Sequence, residues 1–239
     1  MSALVQGSGS FVREQLRAPL ALVVLVAIPA FFVLIFASVL GEFAKALGGT
    51  LASQSATAIS AGWAAAFLSG ALGFFQVSSS RGADRRLASA GYGALRVATA
   101  RIAAALTLAG AVSAVAFVTL WLRSGIGHPV HAAVAILAFA TIYIGVGALI
   151  GAFVAAPLEG SLLAILVFSL DAFSAPQMTG SGGIGDFTPT RQAANLLIAA
   201  GGAENSPSAD WLGVGIVTFG GLAVALAAFW LSARSRSRR

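Results

Sequence analysis

Cysteine is absent from this 239-residue chain, lysine occurs once, at Lys45, and histidine twice, at His128 and His131. Without cysteine there is no disulfide scaffold, no thiolate metal site and no cysteine nucleophile. Two histidines leave little for a histidine-rich metal centre. Charge is scarce as well. Charged residues make up 9% of the chain, against about 25% in an ordinary soluble domain. Hydrophobic residues reach 58% and the mean hydropathy is +0.92. Such a chain cannot cover a water-facing surface, so most of its exterior must meet lipid. A soluble enzyme, a disordered tail and a collagen-like fibre are thereby excluded.

Catalytic signatures are missing too. The chain has no HExxH pair and no GxSxG elbow. A P-loop needs a lysine after glycine on a loop that enters a helix, and the single lysine follows Phe43-Ala44. The chain therefore cannot hydrolyse ATP by itself. Intramembrane ionisable groups usually mark ion pathways. Asp171, near the end of an apolar stretch, is the one candidate here, which disfavours an ion-coupled transporter or pump.

What the chain does have is six long apolar runs. A membrane helix needs about 20 such residues to cross the hydrocarbon. The runs cover about Leu20 to Leu40, Thr57 to Val77, Ile102 to Leu122, Val130 to Val154, Pro157 to Phe173 and Leu212 to Leu231. Transmembrane β-strands would instead be short and alternating. The expected fold is all-α, a six-helix membrane bundle. The first run is longer than the core of a cleavable signal and is read as a retained helix, bent at Pro29. Gly147 and Gly151, four residues apart, suit close helix approach.

The net charge is +6. In a soluble protein that would suggest nucleic acid; here the placement of charge argues for a membrane topology and no nucleic-acid partner. With the N-terminus inside, the inner side holds Arg13, Arg17, Arg81, Arg85, Arg86, Arg96, Arg101, Arg234, Arg236, Arg238 and Arg239. The outer side holds Lys45, Arg123 and Arg191. Both termini are thus expected in the cytoplasm, with Arg101 snorkelling from the end of the third span. The preference for arginine over lysine fits the codon usage of a GC-rich bacterial genome.

The connections differ in kind. Residues 1–19 interleave Phe11, Val12 and Leu16 with Arg13 and Arg17, the pattern of a helix lying at the membrane surface. Ser78 to Arg101 carries five arginines in a stretch longer than a turn requires. Gly91-Tyr92-Gly93 breaks it into two short helical pieces, and its length suggests a docking role. Ala155 to Gly160 is a tight turn, with Pro157 and Glu159 suited to a helix N-terminus. Ala175 to Asp210 begins with a glycine-rich run and contains a short helix near Thr190 to Ala200. An outer cap and a plain surface loop are both open readings of that segment. The domains are then residues 1–19 as an interfacial helix, 20–231 as the bundle and 232–239 as a basic tail.

This layout resembles the membrane subunit of ABC-2 type ABC transporters. Arg81-Gly82 with Arg86-Leu87 is similar to that family's inner-loop pattern, although Ser79 and Ser80 stand where an acid is common and Asp84 substitutes. Phe11 to Pro19 resembles its interfacial connecting helix, and Pro157-Leu158-Glu159 its tight inner turn. Pro189 to Ala199 resembles its outer helices, without the usual tryptophan and proline. The resemblance implies contact with a separate ATP-binding subunit through Arg81, Asp84, Arg85, Arg86, Leu87, Pro157 and Glu159. ATP and Mg would be bound by that partner and no cofactor by this chain. It also implies pairing with a second permease copy or a paralogue in a bacterial cell membrane. The chain would then be no enzyme by itself. It would export a hydrophobic or amphipathic compound such as a drug, antibiotic, lipid or glycolipid. Phe31, Phe32, Phe36, Phe67, Phe74 and Phe75 are candidates for the pathway or for ordinary helix contacts. The alternatives are a membrane-embedded enzyme built on Asp171, Asp186, His128 and His131, or an assembly or immunity factor.

Overall fold

In hydrocarbon a backbone must satisfy its own hydrogen bonds, so long apolar runs fold as helices. The computed structural model describes residues 19–46, 51–154, 156–174, 188–201 and 210–234, and no strand occurs among them. Phe11, Arg13 and Arg17, the glycine-rich run before Asp186 and the tail beyond Arg234 lie outside the described residues.

The elements are α1 (Pro19–Phe31), a π-helical turn (Phe32–Phe36), α2 (Ala37–Ala46), α3 (Ser53–Leu87), a second π-helical turn (Ala88–Tyr92), α4 (Ala94–Ser124), α5 (Pro129–Phe153), α6 (Pro157–Ser174), α7 (Arg191–Ala199) and α8 (Trp211–Ala233). Six helical segments are long and apolar enough to cross a membrane: Leu25–Ala46, Ser53–Tyr92, Ala94–Ser124, Pro129–Phe153, Pro157–Ser174 and Trp211–Ala233. This matches the number of spans expected from the sequence.

At Pro29, where the sequence predicts a bend, α1 stays helical and the irregularity comes just after it. Three residues after the proline the first span widens into the π-helical turn Phe32–Phe36 before α2 resumes. Widening leaves carbonyls short of their usual i+4 partners. Arg123, from the last turn of α4, donates Nη1 to Val33 O at 2.7 Å and to Leu34 O. An arginine read only as an outer-side charge thus bonds to the backbone of another span.

The second-to-third connection breaks at Gly91–Gly93 as expected, but the helical pieces on either side are continuations of the two spans and not separate short helices. α3 runs on through all the arginines as far as Leu87, and α4 starts at Ala94. At about 1.5 Å per residue, α3 is about 52 Å long, well beyond the roughly 30 Å of hydrocarbon. The break falls at Gly91 (φ 95°) and Gly93 (φ 79°), the only residues of this turn with positive φ. There a side chain would be strained. The result is a helical hairpin whose tip carries the charge.

Packing is centred on α3 and α5. In their apolar windows 78% and 72% of residues are buried, against 17–22% in the first, fifth and sixth spans. Those three spans therefore present broad faces outward. The α3–α5 seam is made of glycine. A Cβ at Gly147 would collide with the Gly70 carbonyl, one at Gly73 would lie 2.6 Å from Ile144 O, and one at Gly151 would lie 2.8 Å from Phe74 O. Gly145 meets the Gly221 carbonyl on α8 in the same way. Where lipid gives helices no hydrophobic drive to associate, such backbone contact supplies the dispersion energy. The close helix approach expected at Gly147 and Gly151 is realised against α3.

Candidate functional site

Three arrangements carry the polar chemistry of the bundle. The first is the arginine-rich hairpin formed by α3 and α4. Arg101 donates Nε and Nη2 to Asp84 Oδ1 at 3.1 and 2.9 Å, and Ser80 Oγ donates to Asp84 Oδ2 at 3.1 Å. Asp84 and Arg101 are both buried. Asp84, expected on a docking face, is therefore turned inward, and Arg101 does not snorkel. The reason is the hairpin itself, which brings α3 and α4 side by side and lets the two charges neutralise each other away from water.

Two more of the expected contact residues are engaged within the chain. Arg81 donates Nη2 to Gly151 O and, at 3.3 Å, to Val154 O, closing the C-terminal end of α5. Arg85 donates Nε to Ser232 O at 3.2 Å, at the end of α8. Cations at helix C-termini complete orphan carbonyls and oppose the helix dipole. Arg86 and Leu87 remain exposed, as do Tyr92, Leu95 and Arg96 beyond the turn. Pro157 and Glu159 are exposed at the start of α6. The surface left available is thus a hairpin tip with apolar residues between two arginines.

The second arrangement is an apolar cleft of about 280 Å³ between α1, α3, α5 and α6. Phe67, Phe74, Phe75, Tyr143 and Phe168 line it. Phe168 organises the aromatic wall, with ring centroids 5.2 Å from Phe67, 5.5 Å from Trp63 and 5.9 Å from Tyr143. Phe75 and Ile165 are both lining and exposed, so the cleft reaches the outside of the bundle. Of the phenylalanines singled out from the sequence, Phe67, Phe74 and Phe75 line the cleft, whereas Phe31 is an exposed residue of the first span. Phe32 stacks on Phe67 at 5.9 Å.

The third arrangement lies beside that cleft. Tyr143 Oη donates to Asp171 Oδ2 at 2.7 Å, and Thr190 Oγ1 donates to both carboxylate oxygens at 2.9 and 3.0 Å. Asp171, Tyr143 and Thr190 are all buried. This network ties the turn before α7 to α5 and α6. It does not include the histidines: the His128 and His131 rings lie 5.1 Å apart, with His131 4.9 Å from Trp211. Asp186 is outside the described residues, and no group of three metal-ligating side chains occurs among those described. The polar cluster suggested for an embedded enzyme is therefore not assembled from its described members.

Arg101, Tyr143, Thr190 and Arg123 all have roles that the sequence did not disclose. Only Arg101 left a signal, an arginine 17 residues after Asp84 with a Gly-Tyr-Gly break between them.

Among the described residues the chain is all-helical, with six helices of membrane-crossing length and a charged hairpin between the second and third. The chain matches no family model, no curated protein and no solved structure.

Proposed function

We propose that this chain is the membrane-spanning subunit of an ATP-driven transporter of the ABC-2 type. It lies in a bacterial cell membrane with both termini in the cytoplasm. A separate ATP-binding subunit, holding ATP and Mg, docks on the hairpin tip around Arg86 and Leu87 and on the turn at Pro157 and Glu159. A second copy or a paralogue completes the pathway. The cargo is hydrophobic or amphipathic and is exported.

The observation that supports this reading best is the hairpin. Its tip exposes Leu87, Tyr92 and Leu95 between Arg86 and Arg96, while its root is pinned by the buried Asp84–Arg101 pair. A rigid lever with an exposed, mixed apolar and basic end suits the transfer of force from a soluble partner to the bundle. The aromatic cleft between α1, α3, α5 and α6 suits an apolar guest, since such sites are concave and mostly apolar with few polar groups.

The test is purification of the full chain from its native membrane in mild detergent, with identification of its partners and assay of ATP hydrolysis. A stoichiometric P-loop protein with vanadate-sensitive activity is expected. Recovery of the chain alone in several detergents, without ATPase activity, would overturn the proposal.

A further inference from the structure

At the arginine-rich end of the bundle, a cavity of about 720 Å³ opens between α3 and the C-terminal ends of α5 and α8. Arg81, Arg85 and Arg234 line it together with Ala152, Phe153, Leu231 and Ser232, and none of these lining residues is acidic. Arg234 is held in place by stacking, its guanidinium carbon 3.7 Å from the centroid of the Trp230 ring. Arg81 spends Nη2 on the α5 carbonyls, but its Nε is buried without a hydrogen-bond partner. Arg85 spends Nε on Ser232 O.

The balance of charge in this cavity can be weighed. Two helix C-termini bring roughly half a negative charge each, whereas three guanidinium groups bring three positive charges. About two positive charges are left over in a space with no carboxylate on its wall. The apolar part of the lining is exposed: Phe153 is 75% exposed and Leu231 47% exposed. A soluble anion has no use for that part. A phospholipid does, because its phosphate can take the guanidinium donors while its acyl chains lie along Phe153 and Leu231. The cavity also sits where two spans end, at Phe153 and Ala233, and basic pockets between spans are suited to anionic headgroups.

We propose that this cavity is a binding site for one anionic phospholipid, its phosphate held by Arg81, Arg85 and Arg234. The site is independent of the transport reading, since it rests only on the end of the bundle where the arginines converge.

The experiment uses the full chain in nanodiscs and in detergent, with phosphatidylglycerol and phosphatidylcholine as probes and retained lipid counted by native mass spectrometry. Wild type is expected to retain phosphatidylglycerol in preference to phosphatidylcholine. Arg234→Gln, which removes no helix-capping bond, is expected to weaken that retention about fivefold, as one headgroup arginine would. Arg81→Gln with Arg85→Gln is expected to abolish it; if that pair fails to fold, Arg234→Gln carries the test. Equal retention of both lipids, no effect of Arg234→Gln, or an equal loss in the tail variant Arg238→Gln would overturn the proposal. Displacement of the lipid by millimolar glycerol phosphate would do so as well, because the site would then be one for a soluble anion.

Discussion

Arg101 grips Asp84 by two donors on one oxygen, Nε at 3.1 Å and Nη2 at 2.9 Å, across the seam between α3 and α4. Both side chains are buried, so neither charge has water as an alternative partner. The pair lies near the turn and ties α3 to α4 by a side-chain bond between helices. The second carboxylate oxygen lies 3.1 Å from Ser80 Oγ, whose one proton is shared with Gln76 O.

Removing one member of a buried pair strands the other. Asp84→Ala is therefore expected to destabilise the protein by on the order of 3 kcal/mol, seen as a fall in melting temperature in detergent. Asp84→Ala combined with Arg101→Ala should cost less than the sum of the two single changes, because the double variant buries no unpaired charge. Additive losses would show that the two residues act separately.

The glycine seam gives a second prediction. Gly147→Ala forces a methyl group into the Gly70 carbonyl, and the clash is with backbone, which cannot step aside. A loss of at least about 2 kcal/mol is expected, at the upper end of what overpacking costs. Gly110→Ala is the control: nothing lies within 4 Å of its Cβ position, so it should be neutral or stabilise α4 by up to about 1 kcal/mol. Thermal unfolding of both variants in the same detergent decides the point.

Six spans, the tight turn before α6, the short helix α7 and the close helix approach at Gly147 and Gly151 were all legible in the sequence, because each has a local cause. Hydropathy over a span, proline at a helix start and small residues one turn apart act over a few residues. The extension of α3 to Leu87 was not legible. Its serines and arginines read as a separate short helical piece, yet a helix already nucleated by the apolar span continues through them until Gly91 and Gly93 permit a turn. The partners of Asp84, Asp171 and Val33 O were hidden for a different reason. Arg101, Thr190 and Arg123 reach them from other elements, and only the packed bundle sets those distances.

Asp171 leads to the third prediction. Its carboxylate accepts from Tyr143 and Thr190 and so fastens the turn before α7 to two spans. Asp171→Ala leaves two buried hydroxyl groups without their acceptor, at a cost of about 1–3 kcal/mol for each. Tyr143→Phe removes one bond and no acceptor, and should cost only about 1 kcal/mol. If the network holds α7 in place, trypsin will cut after Arg191 faster in Asp171→Ala than in Tyr143→Phe or wild type. Equal cleavage of all three would mean that α7 is held by its apolar face alone, through Leu196 and Leu197.

The hairpin tip separates two roles that arginine plays within one short stretch. Arg85 closes the end of α8 through Ser232 O, whereas Arg86 is exposed beside Leu87. Arg85→Glu would therefore disturb the bundle as well as any docked partner, and reversing both charges at once would not distinguish the two effects. Arg86→Glu is the cleaner variant. It should leave the melting temperature within about 0.5 kcal/mol of wild type in stability terms, as surface changes usually do. On the transporter reading it should nonetheless reduce recovery of the ATP-binding partner at least about tenfold, because like charges replace unlike ones in a docked interface. Arg85→Glu should lower both stability and partner recovery. Partner recovery unchanged by Arg86→Glu would remove the tip from the docking surface and leave the turn at Pro157 and Glu159 as the place to look.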